Sequence, residues 1–238
     1  MTAWLVTPVF LASLVEAVEA TTIVLAVGIV RGWHAALLGA ILGFLTLAIV
    51  VVVLGSVLDG VPAHFLQIAI GLLLLSLGLS WLRKSVLRYA GRLPLHDESV
   101  AFATETAELR SGPLGAAGLD WAAALISFKA VLLEGLEVVL IVIAVGLGSG
   151  RLLSAGFSAL AACLLVAIAG FLLRRPLARV PENALKFAVA SMLCAFGIFW
   201  LGEGLGYQWP GGDLIILALI ALFAGAARAV VSIMRMKL

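Results

Sequence analysis

Long apolar runs constrain the fold of this chain more than any other feature of its sequence. Several of them reach about 20 mostly apolar residues, the length that an α-helix needs to cross the hydrocarbon core of a bilayer. The mean hydropathy is +1.23 and 12% of residues are charged, about half the fraction usual in soluble domains. A water-soluble fold would leave much of this apolar surface exposed, so the sequence predicts an all-α, multi-pass protein of the cell membrane.

Seven runs have the length and composition of transmembrane helices. The first carries two acids and has no basic segment before it, which is not typical of a cleaved signal peptide. One long polar stretch, 88–120, separates the third run from the fourth and is expected to be a cytoplasmic loop with a short surface helix. The predicted spans are 4–30, 33–57, 64–87, 121–148, 152–173, 183–207 and 212–234.

Basic residues predict the orientation of these spans. Cytoplasmic loops are enriched in Lys and Arg, and with seven spans the ends of spans one, three, five and seven share one side. The other side has Arg151. We therefore expect an external N-terminus and a cytoplasmic C-terminus. The basic residues on the cytoplasmic side are Arg31, Arg83, Lys84, Arg88, Arg92, Arg110, Arg174, Arg175, Arg179, Arg235 and Lys237.

The chain also repeats itself. Residues 14–28 align without gaps on 132–146, and paired glutamates, prolines, glycines and tryptophans recur at matching positions. Shared Leu, Val and Ala would match by chance, but these rarer pairs indicate a duplication. The matching pairs include Glu16/Glu134, Glu19/Glu137, Gly28/Gly146, Val61/Val180, Pro62/Pro181, Gly78/Gly197 and Trp81/Trp200.

The repeat predicts a domain organisation. Each unit has three spans, and because three is odd, the second unit enters the membrane from the opposite side, as in many secondary transporters. We expect a first three-helix repeat at 1–87, the cytoplasmic loop at 88–120, and a second, inverted repeat at 121–207. The seventh helix and the C-terminus, 208–238, would complete the bundle.

Two pairs of glutamates lie near the middle of spans one and four. Glu16 and Glu19 share one helix face because they are three residues apart, and so do Glu134 and Glu137. An ionised acid at the bilayer centre costs roughly 2.5–3.5 kcal/mol, so four of them must be paired, protonated or coordinated. Protonated acids that hydrogen-bond between helices are one alternative. A site for a hard cation such as Mg, Ca, Mn or iron fits the symmetric arrangement better.

Other polar residues are candidates for supporting roles. Thr21 and Thr22 follow Glu19 closely and offer hydroxyl oxygens, and Lys129 lies inside span four, where a buried lysine normally pairs with an acid. Glu203, near the outer end of span six, is either an outer metal ligand or an ordinary interfacial acid. The histidines are interpreted as ordinary interfacial or loop residues: His34, His64 and His96.

The motif Leu133-Glu134-Gly135-Leu136-Glu137 resembles the R-E-G-L-E hallmark of the oxidase-dependent iron permease family. Span one carries the related Val15-Glu16-Ala17-Val18-Glu19, and Trp81-Leu82-Arg83-Lys84 is similar to the W-x-R-K-like end of the family's third span. The resemblance implies seven spans, an external N-terminus, iron bound by the motif glutamates, and an oxidase or metal-binding protein as partner. The family arginine is replaced by Val15 and Leu133, which makes the site more negative. Lys129, on the same face as Leu133, is a candidate to restore one positive charge.

The sequence therefore predicts a transporter of metal cations, iron or another hard ion, with the metal as cargo and no permanently bound cofactor. A metal cation/proton exchanger is a close alternative, because burial favours the protonated carboxyl and makes proton coupling physically available. A non-transporting membrane scaffold or sensor is a third alternative. The chain has no nucleophile–base or zinc-protease arrangement at a span centre, so we do not expect an enzyme. The small net charge of +2 gives no reason to expect nucleic-acid binding.

Overall fold

Helices form nearly all of the part of the chain that the structure describes. The structure is a computed structural model that describes residues 3–58, 61–111, 120–148, 150–173 and 181–236. Within these ranges the chain forms eight α-helices and one short 3₁₀ helix, Gly212–Leu214, and no strand. The α-helices are α1 Ala3–Val30, α2 Trp33–Leu58, α3 Ala63–Tyr89, α4 Glu98–Ser111, α5 Trp121–Gly148, α6 Leu152–Leu173, α7 Glu182–Gly204 and α8 Ile215–Met236.

Six of the described helices are long and apolar enough to cross a membrane: α1, α2, α3, α6, α7 and α8. The prediction of an all-helical membrane protein is thus confirmed. The α5 helix is also long, at 28 residues, but it carries Lys129, Glu134 and Glu137, and these charges keep it outside this group.

The outer surface of the helix bundle is apolar, whereas several polar side chains lie inside. Val52 on α2, Leu153 on α6 and Leu222 on α8 are all largely exposed, while Glu16 and Ser13 on α1 are buried. This arrangement is the reverse of that in a water-soluble protein and is the one expected in lipid, where polar groups face the bundle interior.

The predicted polar loop contains the short helix α4, and this helix is packed against α1 rather than free on the surface. Asp97 accepts a hydrogen bond from the backbone N–H of Ser99 at 2.8 Å and thereby caps the helix start. Leu109 is buried in a small apolar cluster with Ala26, Val27, Ala35, Ala36, Ala123 and Ala124. As a result, Glu98 at the first position of α4 is directed into the bundle and is 4% exposed.

Helices α3 and α7 pack closely and run antiparallel. A Cβ on Gly78 would lie 2.7 Å from the backbone N of Cys194, and a Cβ on Gly197 would lie 2.6 Å from the backbone N of Leu75. The neighbours of Gly204 are residues 64 and 68 of α3, so higher numbers on one helix face lower numbers on the other. Small residues at these crossings let the two backbones approach.

Helices α2 and α5 pack in the parallel direction. Gly39 faces Ala124 and Phe128, whereas Leu47, two turns later on α2, touches the position of Gly135. Helix α6 packs on α1, with Gly170 against Thr21. The result is a bundle in which α1 and α5 lie at the centre and contact each other.

Some predicted features lie outside the described residues. These are Val180 of the repeat and the basic residues Arg174, Arg175, Arg179 and Lys237.

Candidate metal centre

Three of the four motif glutamates meet between α1 and α5. Glu16, Glu134 and Glu137 each offer a carboxylate oxygen, and these atoms lie within 4.8 Å of one another. Glu16 is 1% exposed, and the two acids of α5 are half-buried. We call these three residues the carboxylate triad. The three-residue spacing on α5 places Glu134 and Glu137 on one face, and the contact of α5 with α1 brings that face to Glu16.

The fourth motif glutamate, Glu19, belongs to a different cluster. Its carboxylate lies with His96, Glu98 and Glu182, again with one ligand atom from each residue within 4.8 Å of the others. We call these four residues the mixed cluster, because it contains an imidazole as well as carboxylates. Nε2 of His96 is 3.2 Å from Oε1 of Glu98 and 3.3 Å from Oε2 of Glu182.

Lys186 of α7 connects the two clusters. Its ammonium forms an ion pair with Glu19, and it lies 3.8 Å from Glu16 and 3.6 Å from Glu182. Glu182 and Lys186 are four residues apart, so α7 holds both on one face as it starts after Pro181. The lysine therefore offsets acidic charge from the triad and from the mixed cluster at once.

Trp81 of α3 completes the wall next to Lys186. The ammonium of Lys186 lies 5.4 Å from the centre of the Trp81 ring, which is a cation–π contact. The indole N–H donates a hydrogen bond to Oε2 of Glu137 at 3.2 Å. Trp81 thus contacts the lysine with its ring face and a triad carboxylate with its polar edge.

Two cavities meet at Glu16 and Glu134. One is polar, has a volume of about 320 Å³, and extends past Lys186 to Lys84, Arg88 and His96. The other has a volume of about 300 Å³, and apart from the two glutamates its lining is almost entirely apolar, with α2 and α6 contributing. Glu16 and Glu134 line both cavities and therefore lie at the boundary between a polar cavity and an apolar one.

Hydrogen bonds fix the residues of the mixed cluster that precede and begin α4. The backbone N–H of His96 donates to Oδ1 of Asn183 at 3.2 Å, and the Asn183 amide donates to the His96 carbonyl at 2.8 Å. The hydroxyl of Thr22 donates to Oε2 of Glu98. Burial raises the pKa of Glu98, but its hydrogen bonds with His96, Thr22 and Glu182 and its attraction to His96 together hold that pKa below its ordinary value.

Several buried carboxylate oxygens in the two clusters have no hydrogen bond. Among the described residues, no hydrogen bond reaches Oε1 of Glu16 or either oxygen of Glu182. The ion-pair distances of 3.3–3.8 Å that these oxygens make with His96 and Lys186 are longer than ordinary charge-assisted hydrogen bonds. Neighbouring carboxyls lie within hydrogen-bonding reach, Glu134 of Glu16, and Glu19 and Glu98 of Glu182. Buried polar atoms are normally satisfied, so these oxygens are suited to share a proton or to bind a cation.

The supporting residues proposed from the sequence have mixed outcomes. Thr22 contacts the cluster through Glu98, whereas Thr21 lines the apolar cavity. Lys129 is exposed on α5, and the lysine that pairs with the motif glutamates is Lys186 instead. Glu203 lies in the last turn of α7, apart from both clusters among the described residues, and its role as an outer ligand stays a prediction.

Four residues of the candidate site are not among those predicted from the sequence. His96 lies in the loop before α4, as the sequence predicts, but it also lies between two buried acids. Glu98, Glu182 and Lys186 were not considered as site residues. A signal for the last two was present, because an acid and a lysine four residues apart open an otherwise apolar run.

Comparisons of this chain with protein-family models, curated proteins and solved structures found no match.

Proposed function

We propose that this chain is a transporter of metal cations, with the ion bound inside the bilayer by the carboxylate triad, Glu16, Glu134 and Glu137. The observation that carries the proposal is the convergence of two E-x-x-E helices on one buried polar cavity. Oε1 of Glu16 accepts no hydrogen bond from the described residues and has Lys186 at 3.8 Å, so it is a candidate ligand atom. Carboxylate oxygens favour hard cations, so Mn, iron, Mg and Ca are the candidate ions.

The directions of the helices support an inverted repeat. The connection between α1 and α2 is two residues long, so these helices run antiparallel. Since α2 is parallel to α5, α1 is antiparallel to α5, and α3 is antiparallel to α7. Corresponding helices of the two units thus point in opposite directions, with α5 as a seventh membrane-spanning helix. The triad lies where the first helices of the two units meet, as in inverted-repeat transporters.

The two cavities support alternating access. The polar cavity reaches Lys84 and Arg88 near the end of α3, which the distribution of basic residues assigns to the cytoplasmic side of the cell membrane. The cavity on the other side of Glu16 and Glu134 is apolar and would not admit a hydrated cation. This arrangement fits a state that is open towards the cytoplasm and closed towards the outside.

Lys186 bears on the identity of the ion. The iron permeases that the motifs resemble have an arginine in each motif, whereas this chain has Val15 and Leu133 at those positions. Lys186 brings a positive charge from α7 to the same carboxylates. The site therefore keeps a balancing cation, which is consistent with transport of iron or of another hard ion.

Lys186 also favours a second candidate function, metal cation/proton exchange. The ammonium of Lys186 already lies among the acids of the triad and of the mixed cluster. A metal ion that binds these acids must therefore displace the ammonium or the protons that the acids carry. Exchange would make metal flux depend on a pH gradient across the membrane, whereas simple metal uptake would not.

Transport in proteoliposomes tests the proposal. Fe²⁺, Mn²⁺, Zn²⁺, Mg²⁺ and Ca²⁺ are offered to the wild-type chain and to Glu16→Gln and Glu134→Gln, with and without a pH gradient. We expect at least one metal to be carried and both variants to lose about tenfold or more of the flux. We expect the loss of one buried charged ligand to weaken the binding free energy of the metal by more than about 1.4 kcal/mol, which is a tenfold loss of affinity.

Glu108→Gln is the matched control, since this acid is exposed on α4 and lies in neither cluster. It should transport like the wild type. If both site variants also match the wild type, the triad does not bind the cargo and a non-transporting scaffold or sensor becomes the better explanation.

A further inference from the structure

The mixed cluster, Glu19, His96, Glu98 and Glu182, is distinct from the triad in position and in chemistry. Glu182 is the first residue of α7 and Glu98 the first of α4, so two of its four ligands come from helix starts. Glu19 is three residues further along α1 than Glu16, about 4.5 Å along the helix axis. The polar cavity runs from Glu16 and Glu134 to Glu19 and His96 and thus connects the two clusters.

The groups around His96 are placed to share a cation. Its Nε2 faces a carboxylate oxygen of Glu98 at 3.2 Å and one of Glu182 at 3.3 Å, but a single N–H can serve only one of them well. Glu182 is 3% exposed, and when all the acids are ionised no hydrogen bond from a described residue reaches either of its oxygens. A proton shared with Glu19 or Glu98 satisfies them in the metal-free state. A cation in place of the imidazole proton would bind all three groups.

Residues next to the mixed cluster hold its ligands in place by hydrogen bonds, as outer-shell residues do in metal sites. Asn183 fixes the backbone of His96 with two hydrogen bonds, and Thr22 donates to Glu98. Such outer contacts orient the ligands before the metal arrives. They come from α1 and α7, so the segment before α4 is tied to both halves of the bundle.

The donor set selects a class of metal. Imidazole suits first-row transition metals, whereas Mg²⁺ and Ca²⁺ take oxygen ligands, and the absence of a thiolate or thioether among the four ligands disfavours Cu(I). Once the three acids have lost their protons, they carry three negative charges beside a neutral imidazole, and Lys186 offsets one of these charges. A divalent ion would neutralise the remaining two.

We propose that Glu19, His96, Glu98 and Glu182 form a second metal site, which takes a divalent first-row transition metal such as Mn²⁺, Fe²⁺ or Zn²⁺. Its role as an intermediate binding site for the ion, between the triad and the cytoplasmic side, rests on the proposed function, whereas metal binding itself does not.

Electron paramagnetic resonance of bound Mn²⁺ tests this site in the full chain in lipid nanodiscs. We expect the wild type to bind two Mn²⁺ ions, and we expect the spin-echo signal to show modulation from a coordinated imidazole nitrogen. His96→Gln and Glu98→Gln should each lose one ion and the nitrogen modulation. Their matched controls are His64→Gln and Glu108→Gln, both at exposed positions, and these should keep both.

Glu134→Gln separates this proposal from the proposed function. If both hold, it loses the other Mn²⁺ and keeps the nitrogen modulation. If the wild type binds one Mn²⁺ without nitrogen modulation and Glu134→Gln removes it, the triad stands and the mixed site is refuted. If Glu134→Gln binds as the wild type does and the modulation depends on His96, the mixed site stands without the triad. Absence of Mn²⁺ binding overturns both.

A second measurement covers the case in which His96→Gln does not fold. The chain is labelled with ¹⁵N-histidine in a background of His34→Gln and His64→Gln, so that His96 is the labelled imidazole. A coordinated His96 changes the modulation frequency on labelling, and an unchanged spectrum refutes its coordination.

Discussion

Lys186 shows how a single residue can determine the state of a buried acidic site. It is 14% exposed at its side chain and contacts acids of both clusters. Removing one partner of a buried ion pair leaves charge without compensation, which costs about 3–5 kcal/mol. The lysine therefore stabilises the metal-free bundle, and a bound metal would make it less necessary.

Lys186→Met should destabilise the metal-free protein strongly and the metal-loaded protein much less. The expected loss is about 3 kcal/mol or more without metal, because the carboxylates then face each other with no cation between them. Thermal unfolding in detergent, with chelator and with Mn²⁺, measures both states.

Lys129→Met is the matched control for this change, since Lys129 is exposed on α5, and it should change the unfolding temperature little in either condition. An equal loss for Lys186→Met with and without metal would contradict the idea that lysine and metal stabilise the same acids.

The site contacts that could be predicted and those that could not differ in how the sequence records them. Glu134 and Glu137 are three apart on one helix, and a repeated motif links them to Glu16, so a pattern sufficed. The contacts of Lys186 with Glu19 and of Thr22 with Glu98 join residues 167 and 76 positions apart. Helical periodicity carries no information about such pairs, which depend on how α4 and α7 pack.

At the scale of elements, the crossing of α3 and α7 depends on glycines in close contact. A Cβ on Gly197 would lie 2.6 Å from the backbone N of Leu75, a distance at which the helices must separate. By contrast, nothing lies within 4 Å of a Cβ on Gly156 of α6.

Gly197→Ala should therefore weaken the bundle, while Gly156→Ala should not. Overpacking of this kind costs about 1–3 kcal/mol, which lowers the unfolding temperature by roughly 2–12 °C in a protein of this size. Unfolding followed by size-exclusion chromatography compares the two variants. If both unfold at the wild-type temperature, the close approach of α3 and α7 is wrong.

Arg31 helps to hold the C-terminal end of α4 on the bundle. The guanidinium donates to the carbonyl of Leu109 at 2.8 Å and forms an ion pair of 3.3 Å with Asp120. This end of α4 and the buried Glu98 at its start hold the helix on α1. The sequence predicted a helix here, but its charged composition gave no sign that one face is buried.

Arg31→Gln should loosen α4 without unfolding the bundle. A hydrogen bond to a charged group contributes about 1.5–3 kcal/mol, so amide hydrogen exchange in 98–111 should accelerate about tenfold or more. Arg83→Gln removes an exposed arginine of α3 and should leave that exchange unchanged. Exchange in Arg31→Gln at the wild-type rate would show that other contacts hold α4.

At the scale of the whole molecule, the apolar runs and their boundaries were predictable because lipid demands a length and a composition that the sequence displays directly. Six helices meet that demand. Whether α5 is a seventh span is harder to infer, since Lys129, Glu134 and Glu137 put three charged residues into an otherwise apolar helix. Two of these three are the α5 acids that we propose as metal ligands, so the same residues support the proposed site and weaken the membrane signal.

The seven-span proposal requires the two ends of α5 to lie on opposite sides of the membrane. With Cys163 and Cys194 changed to Ala, single cysteines are placed by Glu108→Cys, before α5, and by Arg151→Cys, after it. Loss of Arg151 from the outer side does not oppose the predicted orientation, because it increases the excess of basic residues on the cytoplasmic side. A membrane-impermeant maleimide should label position 151 in intact cells and position 108 only after permeabilisation.

Labelling of both positions from the same side would show that α5 does not cross the membrane, and the inverted repeat would then be wrong. Labelling from opposite sides in the reverse sense would keep the seven spans and invert the orientation, so that the polar cavity would open to the outside.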